Sequence, residues 1–249
     1  MPGVSGELTK DAKQARSGNY PLSHRADALH YLTRKPLVDY VKGGVIYSGP
    51  STALYLTVAG RVKVAKVSAD GTESAARIVP PGGLFGEACL AERPAAERAV
   101  ALDNLQIMAW KRAEIEQQVE KEPALGLALM EVVIARCLEL GERVQTIATC
   151  LTPQRVMIAL LRLAEQLGEE QSDGAWRMAS LTHHTLAEYV GTSREIVSSQ
   201  MSALRRRGLI QYSRQHIDVY CEAIEQALRS QGVISRNTGA VAAATGPVR

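Results

Sequence analysis

Residues 181–210 read L-T-H-H-T-L-A-E-Y-V-G-T-S-R-E-I-V-S-S-Q-M-S-A-L-R-R-R-G-L-I, the most informative stretch of the chain. Thr182 and Ser193 are residue types that cap helix N-termini, and each precedes a run with apolar residues at helical spacing. Gly191 stands between the two runs, where a tight turn needs a residue that tolerates positive φ. Two short helices joined by a glycine turn form a helix-turn-helix, so we predict this motif here.

The second predicted helix presents a polar side near its N-terminus, the part of this motif that enters the major groove of DNA. Arg194 can donate two hydrogen bonds to guanine, and Glu195 can accept one from cytosine. Arg205, Arg206 and Arg207 end the helix, where they either contact phosphate or form a solvated last turn. The residues predicted to face the core are Ile196, Val197, Met201 and Leu204.

A small β-wing is predicted after the second helix. Leu209 to Tyr212 and Ile217 to Tyr220 are strand-like runs around a polar turn, in which Arg214 can reach the DNA backbone. His183 and His184 start the first helix, where they either reach phosphate or are plain surface histidines. The residues predicted to contact DNA are Thr182, His183, Arg194, Glu195, Ser198, Ser199, Ser202, Arg205 and Arg214.

Two segments of this region carry a family resemblance. T-S-R-E-I-V-S (residues 192–198) and L-R-R-R-G-L-I (residues 204–210) resemble the winged helix-turn-helix signature of the CRP/FNR regulators, and the resemblance extends back to about residue 37. It implies that Arg194 and Glu195 form the base-reading pair. Ser199 stands where the family usually has another base-reading arginine, so the DNA half-site is expected to differ. The implied partners are double-stranded DNA, a second copy of the chain and RNA polymerase.

A long helix is predicted over residues 123–151. Pro123 suits the first turn of a helix, and apolar residues then recur in steps of four and three, the pattern of a coiled-coil seam. A seam this narrow usually pairs with another helix, so we predict a dimerisation helix. The alternative is a helix that packs on its own domain. The predicted seam residues are Met130, Val133, Cys137, Leu140, Val144 and Ile147.

Short β-type runs alternate with glycine turns within residues 37–122, and Asp70-Gly71 is a strong hairpin signal. The runs are Leu54 to Val58, Arg61 to Val67, Ala75 to Val79 and Leu105 to Trp110. This spacing suggests a small antiparallel barrel or roll. The predicted fold class is therefore α+β: an N-terminal β-roll (double-stranded β-helix) of the cyclic-nucleotide-binding type, the long helix, and a winged helix-turn-helix over residues 152–231. Residues 1–36 are read as a partly flexible leader and residues 232–249 as a disordered tail.

The stretch P-P-G-G-L-F-G-E-A-C-L, residues 80–90, resembles the phosphate-binding cassette of cyclic-nucleotide domains. Gly86 allows backbone N–H groups to face an anion. The resemblance implies that Glu87 bonds a ribose hydroxyl and that Arg98 neutralises a cyclic phosphate. Alternatively, the cassette is a retained structural turn in which Glu87 and Arg98 form an ion pair. The predicted effector-pocket residues are Gly86, Glu87, Ala88, Arg98, Ala99, Leu140 and Gly141.

Several pocket positions depart from the family pattern for cyclic AMP. Ala99 stands where cyclic-AMP binders have a serine or threonine, and Leu140-Gly141 stands where the cyclic-AMP activator has a Thr-Ser pair. Without these hydroxyls, polar groups of the ligand would be buried without partners. The prediction is therefore a cyclic nucleotide with cyclic AMP disfavoured, another effector, or none.

Other sensor types find little support in the residue pattern. An iron–sulfur sensor needs several N-terminal cysteines, and none precedes Cys89. A haem sensor needs axial ligands, and the predicted roll contains no histidine. Cys89 beside the cassette is either a redox sensor or a small buried hydrophobe.

Composition excludes several classes of protein. The chain has 249 residues, a net charge of only +3, and four cysteines without C-x-x-C spacing, which predicts neither a disulfide scaffold nor a metal site. No apolar run approaches the about 18 residues of a membrane span, and Met1 to Tyr20 lacks a signal core, so the prediction is cytoplasmic. H-E-x-x-H, G-x-S-x-G and P-loop motifs are absent, so no enzyme is predicted. The alternative to a DNA-binding regulator is a nucleotide-binding sensor that acts through protein contacts.

Overall fold

The computed structural model describes residues 28–234, apart from residues 69–70, 72 and 92–95. Most of the predicted leader and nearly all of the predicted tail lie outside the described residues. A short helical segment at residues 28–31 precedes the first strand. No helix within the described range combines the length and the apolar character needed to cross a membrane.

The N-terminal half is a roll of two four-stranded antiparallel sheets, with strand orders β1-β8-β3-β6 and β2-β7-β4-β5. Their inner faces share one core that includes Val62, Val64, Phe85 and Ile107. The strands are β1 (Val38–Tyr40), β2 (Val45–Pro50), β3 (Ala53–Ala59), β4 (Val62–Val67), β5 (Glu73–Val79), β6 (Leu84–Phe85), β7 (Ala96–Ala101) and β8 (Leu105–Lys111).

The runs predicted as strands correspond to β3, β4, β5 and β8, and the Asp70-Gly71 signal falls between the antiparallel neighbours β4 and β5. Gly71 has the positive φ of 82° that the turn requires. Sequence reasoning missed β1, β2, β6 and β7. β2 contains glycine and proline and β7 is rich in alanine, all residue types that are depleted in strands.

After β8, the described part of the chain contains six helices. They are α1 (Arg112–Lys121), α2 (Pro123–Thr149), α3 (Thr152–Leu167), α4 (His183–Val190), α5 (Arg194–Arg206) and α6 (Cys221–Ser230). α3 begins at Thr152-Pro153, and its N-cap is Leu151. The Leu151 backbone N–H donates to Oε1 of Gln154 at 2.8 Å.

The C-terminal half packs α3 to α6 with a third antiparallel sheet in the order β11-β12-β10-β9. Its strands are β9 (Glu169–Glu170), β10 (Trp176–Ala179), β11 (Ile210–Tyr212) and β12 (His216–Val219). β11 and β12 are the predicted wing. β9 and β10 were not predicted; β9 lies within residues 168–174, a polar stretch that has the character of a loop.

α2 has two different faces. Leu125, Ala128, Leu129 and Thr146 are buried against the same chain. A neighbouring face carries the predicted seam, and all of its members are exposed in the single chain. The exposed apolar side chains of α2 are Leu127, Met130, Val133, Ile134, Leu138, Leu140, Val144 and Ile147. Leu151, just after the end of the helix, is exposed as well.

The two halves are in contact through the outer face of the β2-β7-β4-β5 sheet of the roll. Ile78 of β5 belongs to the core of the C-terminal half and is 2% exposed. Arg61 pairs with both carboxylate oxygens of Asp103, at 2.7 and 2.9 Å, and donates to the carbonyl oxygen of Ala179 at 2.9 Å. The roll therefore holds the helix-turn-helix half by apolar and polar contacts.

Gly86→Ala is expected to destabilise the protein more than Gly82→Ala. Both glycines have positive φ, 78° and 76°, so each substitution costs about 1–2 kcal/mol of backbone strain. A Cβ at Gly86 would also lie 2.5 Å from the carbonyl oxygen of Ala53, whereas a Cβ at Gly82 would meet nothing within 4 Å. Urea unfolding of both variants measures the difference, and equal losses would contradict the close approach at Gly86.

The Arg177–Asp218 pair predicts acid sensitivity. Arg177 of β10 donates to both oxygens of Asp218 of β12, at 2.7 and 3.0 Å, and holds the pKa of Asp218 below its ordinary value. This contribution to stability is present above the unfolded-state pKa of about 3.9 and is lost as the pH falls through the lower folded-state pKa. The loss in unfolding free energy caused by Asp218→Asn should therefore be largest near neutral pH and shrink in acid. Glu222→Gln, at an exposed position, serves as the control and should show little loss at either pH.

Candidate DNA-contacting surface and sensor cavity

The helix-turn-helix forms as the capping residues predict. Thr182 Oγ1 accepts the backbone N–H of Thr185 at 3.0 Å and starts α4. Ser193 Oγ accepts the backbone N–H of Ile196 at 3.4 Å and starts α5. Gly191 ends α4 with a φ of 74°. These local contacts fix the angle at which α5 leaves α4, and so they orient the polar side of α5.

α5 buries one side and exposes the other. Val197, Met201 and Leu204 are buried, as predicted. The prediction that Ile196 faces the core is wrong, since its side chain is 42% exposed. It lies at the flank of the apolar side, where the short helix α4 does not cover it.

The N-terminal residues of α5 are available to a ligand. Arg194, Glu195 and Ser199 are all exposed. Hydrogen bonds from its own backbone N–H and from Ser193 hold the pKa of the Glu195 carboxyl below its ordinary value. Glu195 is therefore an ionised, acceptor-only group, as an amino group of cytosine requires.

His183, Ser198 and Ser202, three of the predicted DNA contacts, are engaged with other side chains or with backbone. His183 Nδ1 and Ser198 Oγ are 2.8 Å apart, and the Ser202 hydroxyl donates to the carbonyl oxygen of Ser198 at 2.9 Å. His183 thus positions the start of α4 against α5. His184 is 3.4 Å from Glu188 and remains exposed.

A basic surface continues from the end of α5 to the wing. The guanidinium of Arg205 lies over the ring of Tyr212, 5.3 Å from its centroid, and Arg206, Arg207 and Arg214 are exposed. Thr182, at the other end of this surface, is also exposed. The sequence analysis named Thr182 and the four arginines, because each adjoins an apolar run whose buried side leaves the neighbouring polar residues exposed.

The cassette adopts its predicted turn with a different charge partner. Gly86 has a φ of 78° and precedes a 3-10 turn over Glu87–Leu90 that contains Ala88. The Glu87 carboxylate pairs with Arg77 of β5 at 3.0 Å, and Arg77 also donates to the carbonyl oxygen of Leu84 at 3.2 Å. The ion pair between Glu87 and Arg98 is therefore not formed.

The side chain of Arg98 lies on the outer face of β7, away from the roll core. Ala99 and Ala101 face the roll core, and side chains alternate along a strand, so Arg98 faces outward. Its Nη1 is 3.0 Å from Glu73 Oε1, and its Nε is buried without a hydrogen-bond partner among the described residues. Sequence reasoning missed Arg77, because its role depends on the register of β5 and not on the cassette motif.

α2 places two further charged residues near the pair formed by Arg77 and Glu87. Arg136 pairs with Glu139 at 2.5 Å, and burial together with the nearby Arg77 lowers the pKa of Arg136. Leu140 and Gly141, predicted for the pocket, lie on the exposed side of α2 instead. Arg136 and Glu139 are oppositely charged and three residues apart, outside the seam. This spacing was the available sequence signal that they form a pair on α2.

A chain of ion pairs runs from the roll to the helix-turn-helix. Glu73 accepts from Arg98 and also from Lys63, at 3.0 and 2.6 Å. Lys63 in turn pairs with Glu188 of α4 at 3.0 Å, and Glu188 is only 9% exposed. This outer-face charge chain links strands β4, β5 and β7 to the first helix of the DNA-binding motif.

Cys89 has the surroundings of a buried apolar residue. It is 6% exposed and packs with Leu54, Leu84 and Trp110. Burial and the neighbouring Glu87 raise the pKa of its thiol to about 11. A thiol with this pKa is protonated and unreactive at neutral pH, which favours the packing interpretation over redox sensing.

Comparisons with known proteins agree with this geometry. The model for the cyclic nucleotide-binding domain matches residues 37–122, and that for the Crp-like helix-turn-helix domain matches residues 154–220. A cyclic AMP receptor protein from Thermus thermophilus is 30% identical over 186 residues, covering 74% of this chain and 82% of that protein. A CRP-like cAMP-activated global transcriptional regulator from Mycobacterium tuberculosis is 27% identical over 177 residues, covering 70% and 79%.

Solved structures give the same result. A transcriptional regulator of the CRP/FNR family from Thermus thermophilus is 27% identical, with a TM-score of 0.57, over 79% of this chain and all of that chain. FixK2 from Bradyrhizobium japonicum has a TM-score of 0.67 over 78% of this chain and 97% of that chain, and at 21% identity it supports the fold alone.

Proposed function

Because this chain belongs to the CRP/FNR family of transcription regulators, we propose that it acts as a homodimer that reads a two-fold symmetric DNA site through α5. The observation that carries the proposal is the exposed, ionised pair Arg194 and Glu195 at the start of α5. Both side chains lie on the exposed side of α5, away from its buried residues, so they are free to enter a major groove. Contact with RNA polymerase and a cytoplasmic location complete the proposal.

Base reading is assigned to the exposed N-terminal residues of α5. Arg194 donates to O6 and N7 of guanine, and Glu195 accepts from N4 of cytosine. Ser199 offers one hydroxyl where the resemblance implies an arginine, so it cannot form a bidentate contact with guanine. We therefore expect a half-site that departs from the usual family sequence at one or two base pairs.

Phosphate contacts are assigned to the residues around the base-reading pair. Thr182 and His183 at the start of α4, Arg205 at the end of α5 and Arg214 in the wing are the proposed phosphate-contacting residues. Ser198 and Ser202 are assigned to holding α5, because their hydroxyls already bond to His183 and to backbone. Such contacts fix the orientation of the protein on DNA and make binding sensitive to salt.

The exposed face of α2 is proposed as the dimer interface. A row of large apolar side chains along a helix of 27 residues is far more than scattered surface hydrophobicity. Its spacing is that of a coiled-coil seam, and a neighbouring face of α2 is already buried in the same chain. A second copy of this chain supplies the complementary seam by symmetry.

A ligand that binds the roll beside Arg77 and Glu87 is proposed as the control signal. Arg77 and Glu87 face each other beside Arg136 and Glu139 of α2, so an anionic group could displace one carboxylate from its arginine. Two relatives carry cyclic AMP in their names. With Ala99 in place of a hydroxyl and Arg98 directed outward, cyclic AMP is disfavoured here within the class of cyclic nucleotides.

The test of this function is selection of bound sequences from random DNA by the purified protein, with and without cyclic AMP and cyclic di-GMP. We expect an enriched palindrome whose half-sites lie about one helical turn apart. Dependence on one nucleotide would identify the effector. Ligand binding without any enriched DNA sequence would instead favour a sensor that acts through protein contacts.

Arg194→Ala should weaken specific DNA binding by about 1–3 kcal/mol and relax the choice of base at one position, since it removes the bidentate contact. Fluorescence anisotropy with matched and singly substituted sites measures both effects. Arg229→Ala in α6 removes the same charge outside the helix-turn-helix and wing, and should leave specificity unchanged. Unchanged specificity in Arg194→Ala would refute the assignment of α5.

The double variant Val144→Glu, Ile147→Glu should convert the dimer to a monomer, because it places charges in the apolar seam. Both side chains are more than half exposed in the single chain, so folding should survive. Val41→Glu, at a residue of the roll that is 74% exposed, is the matched control. Analytical ultracentrifugation distinguishes the outcomes, and a dimeric double variant would rule out this face as the interface.

A further inference from the structure

A tyrosine of the wing contacts two of the side chains that the proposed function assigns to DNA phosphates. The rings of Tyr212 and His183 meet edge to face, with centroids 6.1 Å apart and ring planes at 74°. The guanidinium of Arg205 lies over the Tyr212 ring, 5.3 Å from its centroid. His183 starts α4 and Arg205 lies in the last turn of α5, so one ring touches both helices of the helix-turn-helix.

His183 is restrained a second time by α5. Its Nδ1 is 2.8 Å from the hydroxyl oxygen of Ser198, and its side chain is half-buried. A hydrogen bond at one ring nitrogen and a ring contact together define the plane in which the imidazole lies. The direction of the other nitrogen, Nε2, is thereby set before any DNA is bound.

Arg205 depends on the same ring in a different way. It is exposed, and the face of the Tyr212 ring holds its guanidinium. A long side chain that rotates freely loses rotamer freedom when it binds a partner, and this loss weakens binding. A guanidinium that already lies over a ring has lost part of that freedom in the free protein, so less is lost on DNA.

We propose that Tyr212 is a positioning residue for DNA binding, whose ring orders His183 and Arg205 so that both meet the phosphate backbone already in place. This inference rests on the proposed function and adds to it a residue outside the set assigned to DNA. Tyr212 acts through its two neighbours and makes no contact with DNA itself. Because phosphate contacts carry no sequence information, Tyr212 sets the affinity for DNA and not the choice of bases.

A purely structural role for Tyr212 makes a different prediction. The side chain is half-buried, packs at the edge of the C-terminal core, and stands opposite Ile217 in the pairing of β11 with β12. If it only supported the wing, its loss would weaken DNA binding by the same factor whether or not His183 and Arg205 were present. A positioning role requires that the effect disappear when those two side chains are removed.

The test is fluorescence anisotropy of the full-length protein with a labelled DNA duplex of mixed sequence, about 30 base pairs long so that it spans two half-sites. Tyr212→Leu keeps apolar bulk at the core edge and removes the ring. It should weaken binding about five- to twentyfold, because two side chains must then be ordered on the DNA. Tyr212→Phe keeps the ring and should bind as the wild type does. Tyr212→Val, which has a strand-forming side chain, is a second variant without a ring and should behave as Tyr212→Leu does.

The deciding comparison repeats Tyr212→Leu in a protein that also carries His183→Ala and Arg205→Ala. There the change should weaken binding less than about twofold, since the residues through which it acts are gone. Equal weakening in both backgrounds would overturn the proposal in favour of a structural role. A loss in Tyr212→Phe as large as in Tyr212→Leu would overturn it in favour of a direct contact by the hydroxyl. A wild type without salt-sensitive binding to the duplex would instead refute the proposed function, and the positioning role with it.

Discussion

The arrangement of this protein depends on α2, a long helix with two apolar faces. α2 packs Leu125 and Leu129 against its own chain and leaves a row of apolar side chains on another face. Within the described residues, the roll covers only the first face. We propose that a symmetric copy of the chain, which presents the same seam, covers the second face.

The local signals of the helix-turn-helix could be read from the residues alone. Thr182, Gly191 and Ser193 act within a few residues of themselves, so their types determine the caps and the turn without reference to the rest of the fold. The same holds for the heptad spacing of α2. Ile196 was misassigned, because its exposure depends on how far the short helix α4 reaches across α5, which is a tertiary property.

The sensor cavity was harder to predict, because its charges meet through strand register. Arg98 belongs to the sequence segment after the cassette, yet the alternation of β7 turns it away from Glu87. Arg77 reaches Glu87 from a neighbouring region of the roll, and nothing in its own sequence context marks it. A shift of one residue in a strand reverses every side chain, so motif spacing alone cannot assign such a pocket. The same outward turn gives Arg98 its place in the outer-face charge chain.

Ser199 also bears on how related regulators can share one genome. A regulator with an arginine at this position gains affinity from a guanine at the matching base pair, whereas a serine gains much less. DNA sites that carry that guanine therefore favour the arginine-bearing relative, and sites that lack it cost this protein little. A single exposed hydroxyl on α5 would thus keep two sets of target genes apart, even where the rest of the two recognition helices is alike.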